Sequence, residues 1–165
     1  MSEIEIRRLT QADGALFRQL RLEALQRSPE GFASSHEAEK DRHATWFAGR
    51  LEEAAVFVAF RNGAPLGMAG FRAHDTPKMA HKGMLWGMYV SPEARGLGVG
   101  RRLVQAVLDH ARGKVEQVQL AVTTENTSAR KLYEAMGFEV YATEPRSLKV
   151  GGRYWDDLLM ARELP

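Results

Sequence analysis

The chain has 165 residues, 44% of them hydrophobic, with 23 basic and 21 acidic side chains and a net charge of +2. This suits one globular domain with its own core, and the charge is too small to draw nucleic acid or a membrane by bulk electrostatics. Cysteine is absent, which excludes disulfides and thiolate chemistry, and no apolar run approaches the ~18 residues of a membrane span.

The opening MSEIEIRRLT has no apolar leader core and is expected to be the mature start of a cytoplasmic protein. Ile4 and Ile6 alternate with charged residues, as in a half-buried strand. Thr10 and Asp13 have the spacing of a capping box. The helix after them would carry Leu16, Leu20 and Ala24 on one face, with Phe17 and Leu25 beside them and Arg18, Arg21 and Glu23 elsewhere. Ser28-Pro29-Glu30-Gly31 ends it. A second helical segment is expected from about Glu37 to Glu53, anchored by Trp46, Phe47 and Leu51.

Ala55 to Phe60 and Leu66 to Arg72 read as strands about an Asn62-Gly63 hairpin turn. The next strand runs from about Lys82 to Val90, and Gly87 inside it marks a bulge or a close backbone approach. A helix over 98–112 follows, then a strand from Gln117 to Thr123. Asn126 is placed to cap a helix reaching Met136, with Gly137 just beyond its end. Phe138 to Val150 and Arg153 to Leu164 form a last hairpin about Gly151-Gly152. The order βααβββαβαββ predicts one α/β layer structure with a largely antiparallel sheet, parallel only around the 82–123 strand–helix–strand unit.

The chemistry concentrates in VSPEARGLGVGRR, Val90 to Arg102. Glycines at alternate positions between a strand and a helix let the backbone turn sharply and aim several N–H groups one way. The first helical N–H groups lack intrahelical partners, and the helix dipole favours an anion there. Arg95, Arg101 and Arg102 add positive charge. The predicted ligand is a phosphate or pyrophosphate. A P-loop would need a lysine after Gly100, and a dinucleotide fingerprint would need G-x-G-x-x-G early in the chain; this sequence has neither. A tight turn with no ligand is the remaining alternative.

Arg95, Gly98 and Gly100 match the signature R/Q-x-x-G-x-G/A, and here the chain resembles the GNAT N-acetyltransferase superfamily. A second motif, N-x-x-A-x-x-L-Y-x-x-x-G-F, is matched by Asn126, Ala129, Leu132, Tyr133, Gly137 and Phe138. The resemblance implies a single acetyltransferase domain over 1–165 and acetyl-CoA as the acetyl donor, with no metal. It implies that the pyrophosphate lies on Arg95, Gly96, Leu97, Gly98, Val99, Gly100 and Arg101. The pantetheine arm would run along Met88, Tyr89 and Val90, and Asn126 would join the catalytic residues by contacting the arm or ordering a nearby water. Tyr133 would serve as general acid toward the leaving sulfur, a role open to a phenol with a pKa near 10.

The acceptor is expected between RSPEGFASSHEAE, Arg27 to Glu39, and the terminal hairpin, with Phe32, Ser34, Glu37, Tyr154 and Trp155 as its contacts and Asp156 and Asp157 offered beside the aromatic pair. Aromatic walls with carboxylates suit an amine. A small or amino-acid-like amine leads, a peptide amine follows, and a non-catalytic acyl-CoA sensor is the reading from another class. Packing alone is a competing account of Tyr133 and Trp155. The strand from Lys82 has no glutamate to act as base, and His74, His81 and Glu37 read as surface residues, so no single side-chain base is predicted. Partners are then acetyl-CoA and an amine, with a homodimer through the terminal strands, and neither nucleic acid nor membrane.

Overall fold

The computed structural model describes residues 3–165. Twelve main elements follow one another: β1 (Glu5–Arg8), α1 (Gly14–Arg27), α2 (His36–Glu39), α3 (Ala44–Glu53), β2 (Ala55–Arg61), β3 (Ala64–Ala73), β4 (Lys82–Val90), α4 (Val99–Ala111), β5 (Gln117–Thr123), α5 (Thr127–Ala135), β6 (Glu139–Val150) and β7 (Arg153–Glu163). The strands form one sheet in the order β1-β2-β3-β4-β5-β7-β6, and only the β4–β5 pair is parallel. No helix among the described residues is long and apolar enough to cross a membrane.

Strand alternation gives the sheet two apolar faces. On β2, Val56 and Val58 join Phe17, Leu20, Phe47 and Leu51 of α1 and α3. Ala59 faces the other way, into a core built on Leu103, Val104, Val107 and Leu108 of α4 with Val118, Leu120, Met160 and Phe138. Each fully buried Leu or Phe contributes roughly 1.5–3 kcal/mol.

The second helical segment is broken in two, which corrects the expected single helix. Arg18 of α1 donates Nε to the Arg42 carbonyl at 2.9 Å and Nη2 to the Lys40 carbonyl at 2.6 Å. These carbonyls are bound by a side chain across the fold, and the helix restarts at Ala44. The expected Asn62-Gly63 turn forms with φ of +51° and +77°. At the other end of the chain, β6 is an outer strand of the sheet.

Two features of β4 create the site. Gly87, at φ +64°, forms the expected bulge, and the register with β3 jumps from Gly70↔Trp86 to Met68↔Tyr89. The bulge resets the alternation, so Trp86 and Tyr89 both face α1 and α3 while Leu85, Met88 and Val90 face α4. Second, β4 pairs with β5 only from Lys82↔Gln117 to Met84↔Gln119. Beyond that the two strands part.

Candidate active site

A cleft of about 1210 Å³ opens where β4 and β5 diverge. One wall is the free edge of β4 from Leu85 to Val90, whose outward backbone groups have no ladder partner on β5. Met88, Tyr89 and Val90 therefore lie where a ligand could complete the strand's hydrogen bonding. The Tyr89 side chain is anchored elsewhere. Its hydroxyl donates to Glu23 Oε2 at 2.8 Å, and Ser91 Oγ donates to the same oxygen at 3.1 Å. Burial, partly offset by Arg27, raises the Tyr89 phenol above its ordinary value.

The cleft continues over the glycine turn. Gly96 and Gly98 hold φ of +79° and +78°, and Gly98 caps α4 in the left-handed conformation. The amides of Val99, Gly100 and Arg101 precede the first full α4 bond, Arg102 N to Gly98 O at 3.2 Å. Gly100 sits close under α5, where a Cβ would lie 3.0 Å from Leu132 Cδ2 and 3.3 Å from Met88 Cε. Arg95 and Arg101 are exposed along this part of the lining. Leu97 projects to solvent, 43% exposed, and is not part of the lining. Arg102, expected to add charge here, is engaged by the Ile4 carbonyl and also lies outside it.

From α5, Asn126 and Tyr133 both reach the cleft. Asn126 caps the helix, its Oδ1 accepting from the Ala129 amide at 3.1 Å. Tyr133 is 4% exposed and meets Phe138 edge-on at 5.9 Å. Burial alone pushes its phenol well above the ordinary tyrosine range, so the hydroxyl is firmly protonated at neutral pH.

At the other end, Phe32, Ser34 and Trp155 line the cleft. Two expected contacts do not. Glu37 points to solvent and pairs with Lys40 at 2.7 Å, and Tyr154 is exposed between Arg146 and Lys149 on the outer side of the hairpin. His74 and His81 are also outside the lining, and no group of ligating side chains suited to a metal occurs among the described residues.

The structure adds residues that the pattern hid. Arg21, expected away from the apolar face, is buried and grips buried Glu39 through two 3.1 Å bonds. Burial pushes the Glu39 carboxyl up, but Arg21 and the Ser34 hydroxyl more than offset this, and it lies below the ordinary value. The guanidinium groups of Arg21 and Arg50 each lie 5.9 Å from the ring centre of Trp86. Its Nε1 and that of Trp155 are buried donors without a partner among the described residues. Asp157, which the sequence did offer, and Ser147, which it did not, complete this end from the terminal hairpin. The signal for Arg21 was present: it stands four residues after Phe17 and three before Ala24, on the buried stripe.

The comparisons with known proteins agree with this geometry. The model of the acetyltransferase (GNAT) family matches residues 19–138. An L-amino acid N-acyltransferase, MnaT of Escherichia coli, is 29% identical over 126 residues, 75% of this chain and 73% of that protein. The N-alpha-acetyltransferase RimI of Mycobacterium tuberculosis is 39% identical over 98 residues, 58% of this chain and 60% of that one. The chain spans only 31% of a mycothiol acetyltransferase of Thermobispora bispora that it matches at 38% identity over 56% of its own length. In fold, a GNAT acetyltransferase of Streptococcus pneumoniae superposes with a TM-score of 0.86 at 22% identity, over 98% of this chain and 100% of that one. The yncA protein of Salmonella typhimurium, solved with acetyl-CoA, gives 0.84 at 24% identity, over 98% and 94%. A strand splayed from its parallel neighbour, a glycine-capped helix beneath the gap and a match over most of the chain converge: this protein belongs to the acetyltransferase (GNAT) family.

Proposed function

We propose that the chain transfers an acetyl group from acetyl-CoA to the amine of a small, amino-acid-like acceptor. The observation that carries this reading is the continuity of one cleft, from the glycine turn, past the free edge of β4, to a pocket of aromatic rings and charges. The turn's N–H groups with Arg95 and Arg101 would hold the pyrophosphate. The β4 edge would bind the pantetheine arm, and an N–H near the Gly87 bulge would polarise the thioester carbonyl, as oxyanion donors do. Asn126 would meet the arm, and Tyr133 would donate its proton toward the sulfur.

Arg50 and Arg72 line the cleft and form no ion pair with an acid among the described residues, so they offer a site for a carboxylate. With Phe32, Ser34 and Trp155 they suit a zwitterionic acceptor, in keeping with the name of the relative MnaT. The similarity to RimI favours a peptide N-terminus as the second reading. Val140 and Tyr141, 38% and 55% exposed on the outer strand β6, support pairing of two copies.

Thiol release from acetyl-CoA, followed with a thiol reagent over L-amino acids, their amides, polyamines and short peptides, tests the reading. The protein has no cysteine and gives no background. Release with amino acids is the expected result; release with peptides alone favours the second reading, and none with any amine refutes both.

A further inference from the structure

The sequence pointed to no side-chain base, but the cleft contains a carboxylate whose surroundings fit that task. We propose that Asp157 takes the proton from the ammonium form of the acceptor. This rests on the reading that the acceptor is an amine.

Asp157 lines the cleft and is 7% exposed. It lies in one row across the sheet, Thr123↔Asp157↔Glu144, and Thr123 is the last residue of β5, at the lip of the gap. Trp155, two residues earlier on β7, lines the same cleft. The hairpin is deformed at this point. Glu144 pairs with Asp157 and Leu148 with Trp155, so three residues of β6 bulge opposite one of β7. Arg146 in that bulge adopts φ +50°, uncommon outside glycine, and its amide donates to Asp156 Oδ1 at 2.8 Å. The bulge brings Ser147 Oγ to 2.7 Å from Asp157 Oδ2, to which it donates. Oδ1 has no partner among the described residues.

Among the described residues no cation pairs with this carboxylate: Arg153 is held by Glu125 at 2.6 Å and Arg21 by Glu39 at 3.1 Å, and Arg50 and Arg72, which line the same cleft, form no ion pair with it. A buried, unpaired charge is unfavourable for folding, which makes Asp157 a poor structural element and a suitable functional one. Burial raises its carboxyl above the ordinary value, Ser147 opposes this, and Glu144 and Asp156 add to it. The gap between this acid and an α-ammonium of pKa about 7.7–8.0 is thereby narrowed. The same cleft is also lined by Glu30, in the turn packed on β5 and β6, by Glu125, and by the guanidiniums of Arg21, Arg50 and Arg72.

In the step, Asp157 Oδ1 takes one ammonium proton and frees the nitrogen lone pair. That pair forms the bond to the thioester carbon, and the carbon–sulfur bond breaks with its electrons on sulfur. Sulfur takes the Tyr133 hydroxyl proton, and a second proton from the nitrogen returns to Tyr133 through water. Asp157 releases its proton to solvent, so ammonium and thioester become amide, thiol and one free proton.

The test compares wild type, Asp157→Asn and Ser147→Ala in acetyl-CoA binding by calorimetry and in kcat/KM from pH 6 to 10, on the best acceptor of the amine panel. Asp157→Asn is expected to bind acetyl-CoA normally and to lose about a hundredfold or more in kcat/KM at pH 7. The loss should shrink near pH 9, where an α-amine is already neutral. Ser147→Ala should move the acid limb of the profile to higher pH with its plateau retained. Carboxyl NMR of the ligand-free protein should show Asp157 titrating above the ordinary ~3.9. Turnover undiminished in Asp157→Asn, or a loss that is the same at every pH, overturns the inference alone. A wild type that releases no thiol with any amine overturns the acceptor reading and this inference with it.

Discussion

Arg21 and Glu39 meet inside the protein through two parallel bonds of 3.1 Å, Nε to Oε1 and Nη2 to Oε2, at relative exposures of 6% and 4%. The pair ties α1 to α2, and Arg21 lines the cleft together with Phe32 and Ser34. Removing one partner leaves the other charge buried. Arg21→Ala is expected to destabilise the fold by roughly 3–5 kcal/mol. For a domain of this size each kcal/mol lowers Tm by about 2–4 °C, so a melting curve reads the effect directly.

The same pair sets a pH dependence. The folded-state carboxyl of Glu39 lies below its ordinary value. Its contribution to stability is therefore present above the unfolded pKa of about 4.3, and is lost as pH falls through the lower folded value. Denaturant midpoints from pH 7 down to pH 3 should fall less in Glu39→Gln than in wild type, because that variant has already lost the ion pair.

Tyr133 has a buried ring, and burial alone shifts its phenol. Tyr133→Phe should therefore leave Tm nearly unchanged. Thiol release should fall about tenfold or more if the hydroxyl serves the sulfur. Equal rates in the two proteins would assign the residue to packing with Phe138.

Gly98 and Gly100 should respond to alanine for different reasons. At Gly98 there is open space for a methyl group but φ is +78°, so Gly98→Ala should strain the turn by about 1–2 kcal/mol and weaken acetyl-CoA binding. At Gly100 the backbone is helical and the new methyl meets Leu132 and Met88. Gly100→Ala should change stability by less than about 1 kcal/mol, the helix propensity gained offsetting the contact. Calorimetric titration with acetyl-CoA and thermal melts separate the two cases.

Asp157→Asn should raise stability at neutral pH. An acid whose folded value is raised destabilises the fold when ionised, and this penalty disappears as pH falls through the raised value. Wild type and variant should thus converge in Tm toward pH 4 and differ at pH 7, with the variant higher. A lower Tm for the variant at pH 7 would mark Asp157 as a stabilising residue instead.

What the sequence made legible was local. The bounds of β4 and β5, the Asn62-Gly63 turn, the Gly87 bulge and the Asn126 cap depend on residues within a few positions of one another. Some misses are local, as where Lys40 draws Glu37 away from three residues off, but others depend on contacts across the fold. Arg18 opens the second helix from 22 and 24 residues away. Arg102 turns toward Ile4, 98 residues earlier. Ser147 reaches Asp157 only because a bulge absorbs three residues, and no alternation pattern reports that.

The three-residue pairing of β4 with β5 also has a dynamic consequence. Amides on the open side of β4, from Leu85 to Val90, lie mid-sheet yet lack the hydrogen bonds that protect their counterparts facing β3. They should exchange with deuterium on the timescale of a loop rather than of a core strand. Filling the cleft along that edge would slow them selectively, so deuterium uptake at these few positions could map occupancy of the groove without any chemical turnover.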